Sequence, residues 1–175
     1  KKMADVAEND LKGEDWKDYI NKTCLEVTCG EAPFLTSRYD TTTGQIIAVP
    51  DRIGLLDRKL KVLSERFHDY DAWMSWAIDA YTSTYGYEWQ GDNLLLARCN
   101  LFLTLIENFR YRFDAKRLEI SCMPAFLDCI ADTISWNIWQ MDGLKKTVPG
   151  TDISCKIKDW KAYKEILFKD VGEGE

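Results

Sequence analysis

Three carboxylates stand where a bound molecule would meet them. Glu26 lies in TCLEVT at 23–28, a stretch rich in β-branched and apolar residues that Cys29, Gly30 and Pro33 bring to an end. Glu88 falls near the end of TYGYEW at 84–89, and Asp142 follows NIWQM at 137–141, just before Gly143. The composition predicts a strand at each place. In an open parallel sheet, ligands bind beyond the carboxyl ends of the strands, so acids at those ends face whatever is bound. A carboxylate after the second strand can accept hydrogen bonds from both hydroxyls of a ribose, and one after the third can accept from the amino group of a purine. Small residues in the turn at 29–32 let a ligand approach backbone amides. An adenosine-containing ligand suits this set, although the same acids are also ordinary caps for the helices that follow.

Helices must hold those strand ends in place. Ile53, Leu56, Leu60, Leu63 and Phe67 recur at alternating spacings of three and four, with Arg58, Lys59, Lys61 and Arg66 mostly off their face, which predicts an amphipathic helix. Trp73, Trp76, Ala77 and Ala80 predict a second one. Between 92 and 109 two adjoining stripes run side by side: Leu95, Cys99, Phe102, Ile106 and Phe109, then Leu94, Ala97, Leu101 and Leu105. So wide an apolar face suits a helix lying on a sheet. Ile120, Met123, Leu127, Ile130 and Ile134 continue the period, with Pro124 near the start of that helix. Strand, helices, strand, helices, strand predicts an α/β fold with a parallel sheet and crossover helices. The charged residues 1–22 read as a leading arm, 23–145 as the α/β domain, and 146–175 as a β-hairpin with a frayed tail.

Composition narrows the function. A chain of 175 residues, 46% hydrophobic and 30% charged, fits one globular domain. Its net charge of −6 supplies no general attraction for nucleic acid. It contains no apolar run of about 18 residues and begins without a signal peptide, so the expected setting is the cytoplasm, away from membranes. Six cysteines without a CxxC pair and the single His68 indicate neither a metal site nor a redox dithiol. The stripe of Arg58, Lys59, Lys61 and Arg66 is interrupted by Asp57 and Glu65, the pattern of a solvated face. Trp73, Trp76, Trp136 and Trp139 stand beside Leu and Ile, as core residues do. No catalytic nucleophile is recognisable.

Three motifs then stand in order. LEVTCGEAPFL at 25–35 resembles the first motif of S-adenosylmethionine-dependent adenine-N6 DNA methyltransferases of bacterial restriction-modification systems, in which the turn surrounds the methionine part of the cofactor. YGYEWQGDNLLLARCNL at 85–101 resembles the second, where a strand ends in a ribose-binding acid and a helix follows. ISWNIWQMDGL at 134–144 resembles the third, where Asp-x-Leu meets the adenine. The resemblance covers about 23–145 and implies a Rossmann-like class I methyltransferase fold. It would place Glu26, Gly30, Glu31 and Ala32 around the amino-acid portion, Glu88 at the ribose, Trp89 on the adenine face and Asp142 at the adenine amino group.

This chain departs from that pattern in three ways. Ala32 replaces the usual second glycine. The stretch from Glu26 to Glu88 is about three times the roughly twenty residues of a common nucleotide-binding unit, which makes the two helices within 51–82 an insertion. Family members also capture a flipped adenine with an Asn-Pro-Pro-Tyr or Asp-Pro-Pro-Tyr loop, whereas Pro33, Pro50, Pro124 and Pro149 are all isolated. The expectation is therefore the cofactor-binding portion of a DNA adenine-N6 methyltransferase, inactive alone and reaching DNA through parts outside this chain. The alternative is a non-catalytic module on the same fold, whose helices at 51–82 dock a protein partner.

Overall fold

The computed structural model describes residues 15–113 and 123–171. A short helix, α1 (Trp16–Asn21), leads into β1 (Cys24–Val27). Two helices, α2 (Leu55–Arg66) and α3 (Tyr70–Thr82), cross to β2 (Thr84–Glu88); then α4 (Gly91–Phe113) and α5 (Met123–Asn137) lead to β3 (Ile138–Gln140). The three strands are parallel and lie in the order β1-β2-β3. Glu26 pairs with Gly86 and Glu88 with Gln140, so the carboxyl ends open on one side of the sheet. The architecture is mixed α/β and compatible with a Rossmann-like fold.

Strand β2 is buried at all five positions because both of its faces are covered. Gly86 abuts Cys29 and Leu35, members of the main core, which also takes Leu56, Leu60 and Leu63 of α2, Trp73 and Ala77 of α3, Leu101 and Leu105 of α4, and Ile130 of α5. On the other face, Tyr85 and Tyr87 pack with Met141, Cys155 and Ile157. That second cluster is closed by an antiparallel hairpin, β4 (Lys156–Asp159) and β5 (Lys164–Leu167), in which Ile157 pairs with Ile166.

Buried polar groups tie the layers together. Lys59 on α2 donates to the Lys22 carbonyl and to Ser83 Oγ, both at 2.7 Å, joining the turn before β1 to the turn before β2. Its burial draws the ammonium pKa down to about 8. Arg98 on α4 donates to the carbonyls of Ser135 (3.0 Å) and Ile138 (2.9 Å), satisfying groups at the carboxyl end of α5 where a cation is favoured.

Several sequence expectations change. Part of the expected arm at 1–22 is helix α1, with Ile20 fully buried and Trp16 packed on the core; 1–14 lie outside the described residues. The helices within 51–82 lie on the crossover from β1 to β2, and their apolar faces form much of the main core. On α4 it is the stripe of Leu94, Ala97, Leu101 and Leu105 that faces inward with Phe109, whereas Leu95 is 63% exposed. Asn137 belongs to α5 rather than to the third strand. The reason is Asn137, whose amide donates to the carbonyls of Tyr81 (2.9 Å) and Thr84 (3.0 Å) while its oxygen accepts from Trp160 Nε1 (2.7 Å), a junction role between helix, strand and hairpin. Ile120 and the tail at 172–175 lie outside the described residues. Among the described residues no helix is long and apolar enough to cross a membrane.

Candidate functional site

The turn after β1 is shaped by left-handed backbone at alternate residues: Thr28 (φ 67°), Gly30 (φ 57°) and Ala32 (φ 64°). Such geometry suits glycine and is uncommon for residues with a Cβ. Ala32 adopts it with its side chain fully buried in the main core. The turn folds back onto the sheet because Gly86 has no side chain. A Cβ there would lie 3.1 Å from Cys29 Sγ and 3.2 Å from Leu35 Cδ1.

Glu88, at the end of β2, accepts from Gly30 N–H at 2.7 Å through Oε2 and from Gln90 N–H at 3.0 Å through Oε1. The carboxylate therefore joins the first turn to the second and starts the approach to α4. Each oxygen retains a lone pair for a further donor. Trp89 follows, held by its carbonyl, which accepts from Gln140 Nε2 at 2.9 Å, and its side chain is half-exposed at the lip of the sheet. Asp142 lies beyond β3; its Oδ1 accepts from Leu144 N–H (3.0 Å) and Lys145 N–H (3.1 Å), capping the turn there.

Glu26 differs from these. Its Oε2 is buried and has no hydrogen-bond partner among the described residues. Desolvation pushes its carboxyl up to about 7. Burial, reinforced by the nearby charges of Glu26 and Glu88, drives the Cys29 thiol up to about 12, so Cys29 packs rather than reacts. Glu26, Gly30 and Glu88 thus converge around Cys29, and Asp142 and Trp89 lie along the same sheet edge.

Glu31 is turned aside. Its carboxylate accepts from the Tyr39 hydroxyl, and its carbonyl accepts from Asn100 Nδ2 at 2.9 Å. This contact opens a network that the sequence reading missed. Arg38 donates to Asn100 Oδ1 (3.0 Å) and grips Glu107 at both oxygens (2.5 and 3.1 Å), while Arg52 reaches Glu107 at 2.6 Å. Asp57 accepts from Ser37 N–H (2.7 Å), Ser37 Oγ (3.1 Å) and Gly54 N–H (3.2 Å). Together these bonds strap residues 31–54 onto α2 and α4. One signal was available: Asn100 and Glu107 are seven residues apart, two turns along one helix face, on a helix otherwise rich in apolar residues.

Among the described residues no group of three or more His, Cys, Asp or Glu side chains could hold a metal ion. No protein family, curated protein or solved structure matches the chain.

Proposed function

We propose that this chain is the S-adenosylmethionine-binding portion of a DNA adenine-N6 methyltransferase of the restriction-modification type, acting in the cytoplasm and meeting DNA through parts beyond these residues. The observation that supports it most is Glu26, a carboxyl with one buried, unpartnered oxygen at the end of β1. The α-ammonium of the cofactor is a donor of the kind this oxygen lacks, and its charge would restore the carboxylate. Glu88 then accepts from the ribose hydroxyls with its remaining lone pairs, Trp89 lies on the adenine and Asp142 takes the amino group. Gly30 and Ala32 leave backbone at the methionine portion, whereas Glu31 supports that turn from behind. The cofactor supplies the methyl group; the residues named bind and orient it.

Calorimetry with S-adenosylmethionine and its demethylated product tests this reading. Glu88→Gln is expected to weaken binding by about ten- to a hundredfold, the loss of roughly 1.5–3 kcal/mol for a charged acceptor shared by two hydroxyls. Affinity in the wild type should rise as pH passes through about 7, the value for Glu26, and Glu26→Gln should remove that dependence. Equal affinities in all three proteins, or no binding in the millimolar range, would overturn the proposal. The interaction-module alternative would dock its partner on the exposed polar faces of α2 and α3, since their apolar faces pack in the core.

A further inference from the structure

Away from the strand ends, a cavity of about 570 Å³ opens between the 3₁₀ turn Val49–Asp51, α2 and the last turns of α4. Lys61 and Glu65 on α2, His68 after it, and Tyr111 and Arg112 on α4 line it, with Val49 and Pro50 supplying apolar wall. Arg112 is fixed in place. Its Nε donates to the Phe67 carbonyl at 3.0 Å, its Nη2 contacts His68 Nδ1, and its guanidinium stacks 5.3 Å from the Phe113 ring centroid. A guanidinium has only donors, so His68 Nδ1 is the acceptor and His68 Nε2 carries the ring proton.

Among the described residues, charge at this cavity is unbalanced. No carboxylate among the described residues forms an ion pair with Arg112, and the Lys61 ammonium has no hydrogen-bond or ion-pair partner among them. Among the described residues Glu65 is the one carboxylate in the lining, and it pairs with neither cation. An ammonium, a guanidinium and an imidazole N–H supplied by two elements match an oxyanion with several oxygens better than a planar carboxylate, which Arg112 alone would satisfy. Next to Arg112 in the chain, Tyr111 is 62% exposed, and an exposed phenol ring beside a phosphate donor is a stacking platform for a base.

We propose that this cavity binds the phosphate of a nucleotide through Lys61, Arg112 and His68, with Tyr111 under the base. The proposal does not rest on the cofactor reading, because none of these residues belongs to the strand-end site.

NMR titration of the whole chain tests it, with His68, the only histidine, as the reporter. The probes are inorganic phosphate, thymidine monophosphate and a short oligothymidylate; pyrimidines avoid the adenine contacts assigned to the strand ends. At low salt the nucleotide is expected to shift His68 and Tyr111 saturably, in the millimolar range or tighter, and the effect should fade as salt rises. Lys61→Glu should weaken both nucleotide and phosphate about tenfold. Tyr111→Ala should weaken the nucleotide severalfold and leave phosphate unchanged. Tighter binding of the oligomer would identify a strand as the natural ligand, and equal binding a free nucleotide; both support the site. Both substitutions are at exposed positions, and matched melting curves would verify that the fold is intact. The proposal is overturned by non-saturable shifts, by shifts confined to Trp89 and its neighbours, or by nucleotide affinity that neither substitution alters.

Discussion

A carboxylate with one buried, unpaired oxygen is poorly stabilised as an anion, and Glu26 is held in that condition by the end of β1. Its folded-state pKa of about 7 lies above the reference value of 4.5, so folding favours the protonated acid. The resulting stabilisation is complete below pH 4.5 and is lost as pH rises through about 7. Because the side chain keeps some contact with water, the loss should be on the order of 1 kcal/mol. Glu26→Gln is therefore expected to match the wild type in thermal stability near pH 4.5 and to exceed it above pH 7. A constant difference across that range would show that burial of this acid is not what raises its pKa. Glu88 behaves differently, since Gly30 and Gln90 donate to its two oxygens. It is at once a structural acceptor and a candidate ribose acceptor, and these roles are separated by comparing melting with cofactor binding in Glu88→Gln.

At the scale of elements, residues 31–54 carry no long helix or strand and depend on side-chain bonds to stay in place. Glu107 is the hub. Burial alone would raise its pKa, yet Arg38 and Arg52 hold it below the usual carboxylate range. Glu107→Gln leaves two guanidinium groups without their counter-charge and should cost about 1.5–3 kcal/mol. Hydrogen exchange would then quicken across 31–54 but not in β2; uniform quickening, or none, would show that the network does not anchor this segment. The strand-to-turn junction makes a second demand. Gly86→Ala drives a methyl to within about 3.1 Å of Cys29 Sγ, and overpacking of this kind costs roughly 1–3 kcal/mol. The variant should melt lower than wild type and bind cofactor more weakly, because the displaced Cys29 carries Gly30 with it; unchanged melting would mean that the turn shifts freely.

For the whole molecule, the sharpest expectation concerns what it cannot do alone. Methyl transfer to adenine requires the base to be extruded and its amino group oriented, tasks of a Pro-Pro-Tyr loop that this sequence does not contain. Purified chain incubated with labelled S-adenosylmethionine and adenine-rich DNA should leave the DNA unlabelled at any cofactor concentration; labelled N6-methyladenine would show that residues in this chain replace the loop. The alternation of strands and helices was legible in the sequence, since β-branched and aromatic runs and the three-four spacing of apolar residues are local signals. The sequence also placed Glu88 at a strand end and Asp142 just beyond one. It left undecided which α4 stripe faces inward and how much of the core α2 and α3 supply, because both depend on which surface each helix meets. Tertiary packing turned Glu31 toward Tyr39, gathered Arg38, Arg52, Asn100 and Glu107 across tens of residues, and left Glu26 Oε2 buried without a hydrogen-bond partner among the described residues. Hydrogen bonds and burial between residues distant in the chain leave no periodic trace in it, so the site's acids were legible one by one and their different chemical states were not.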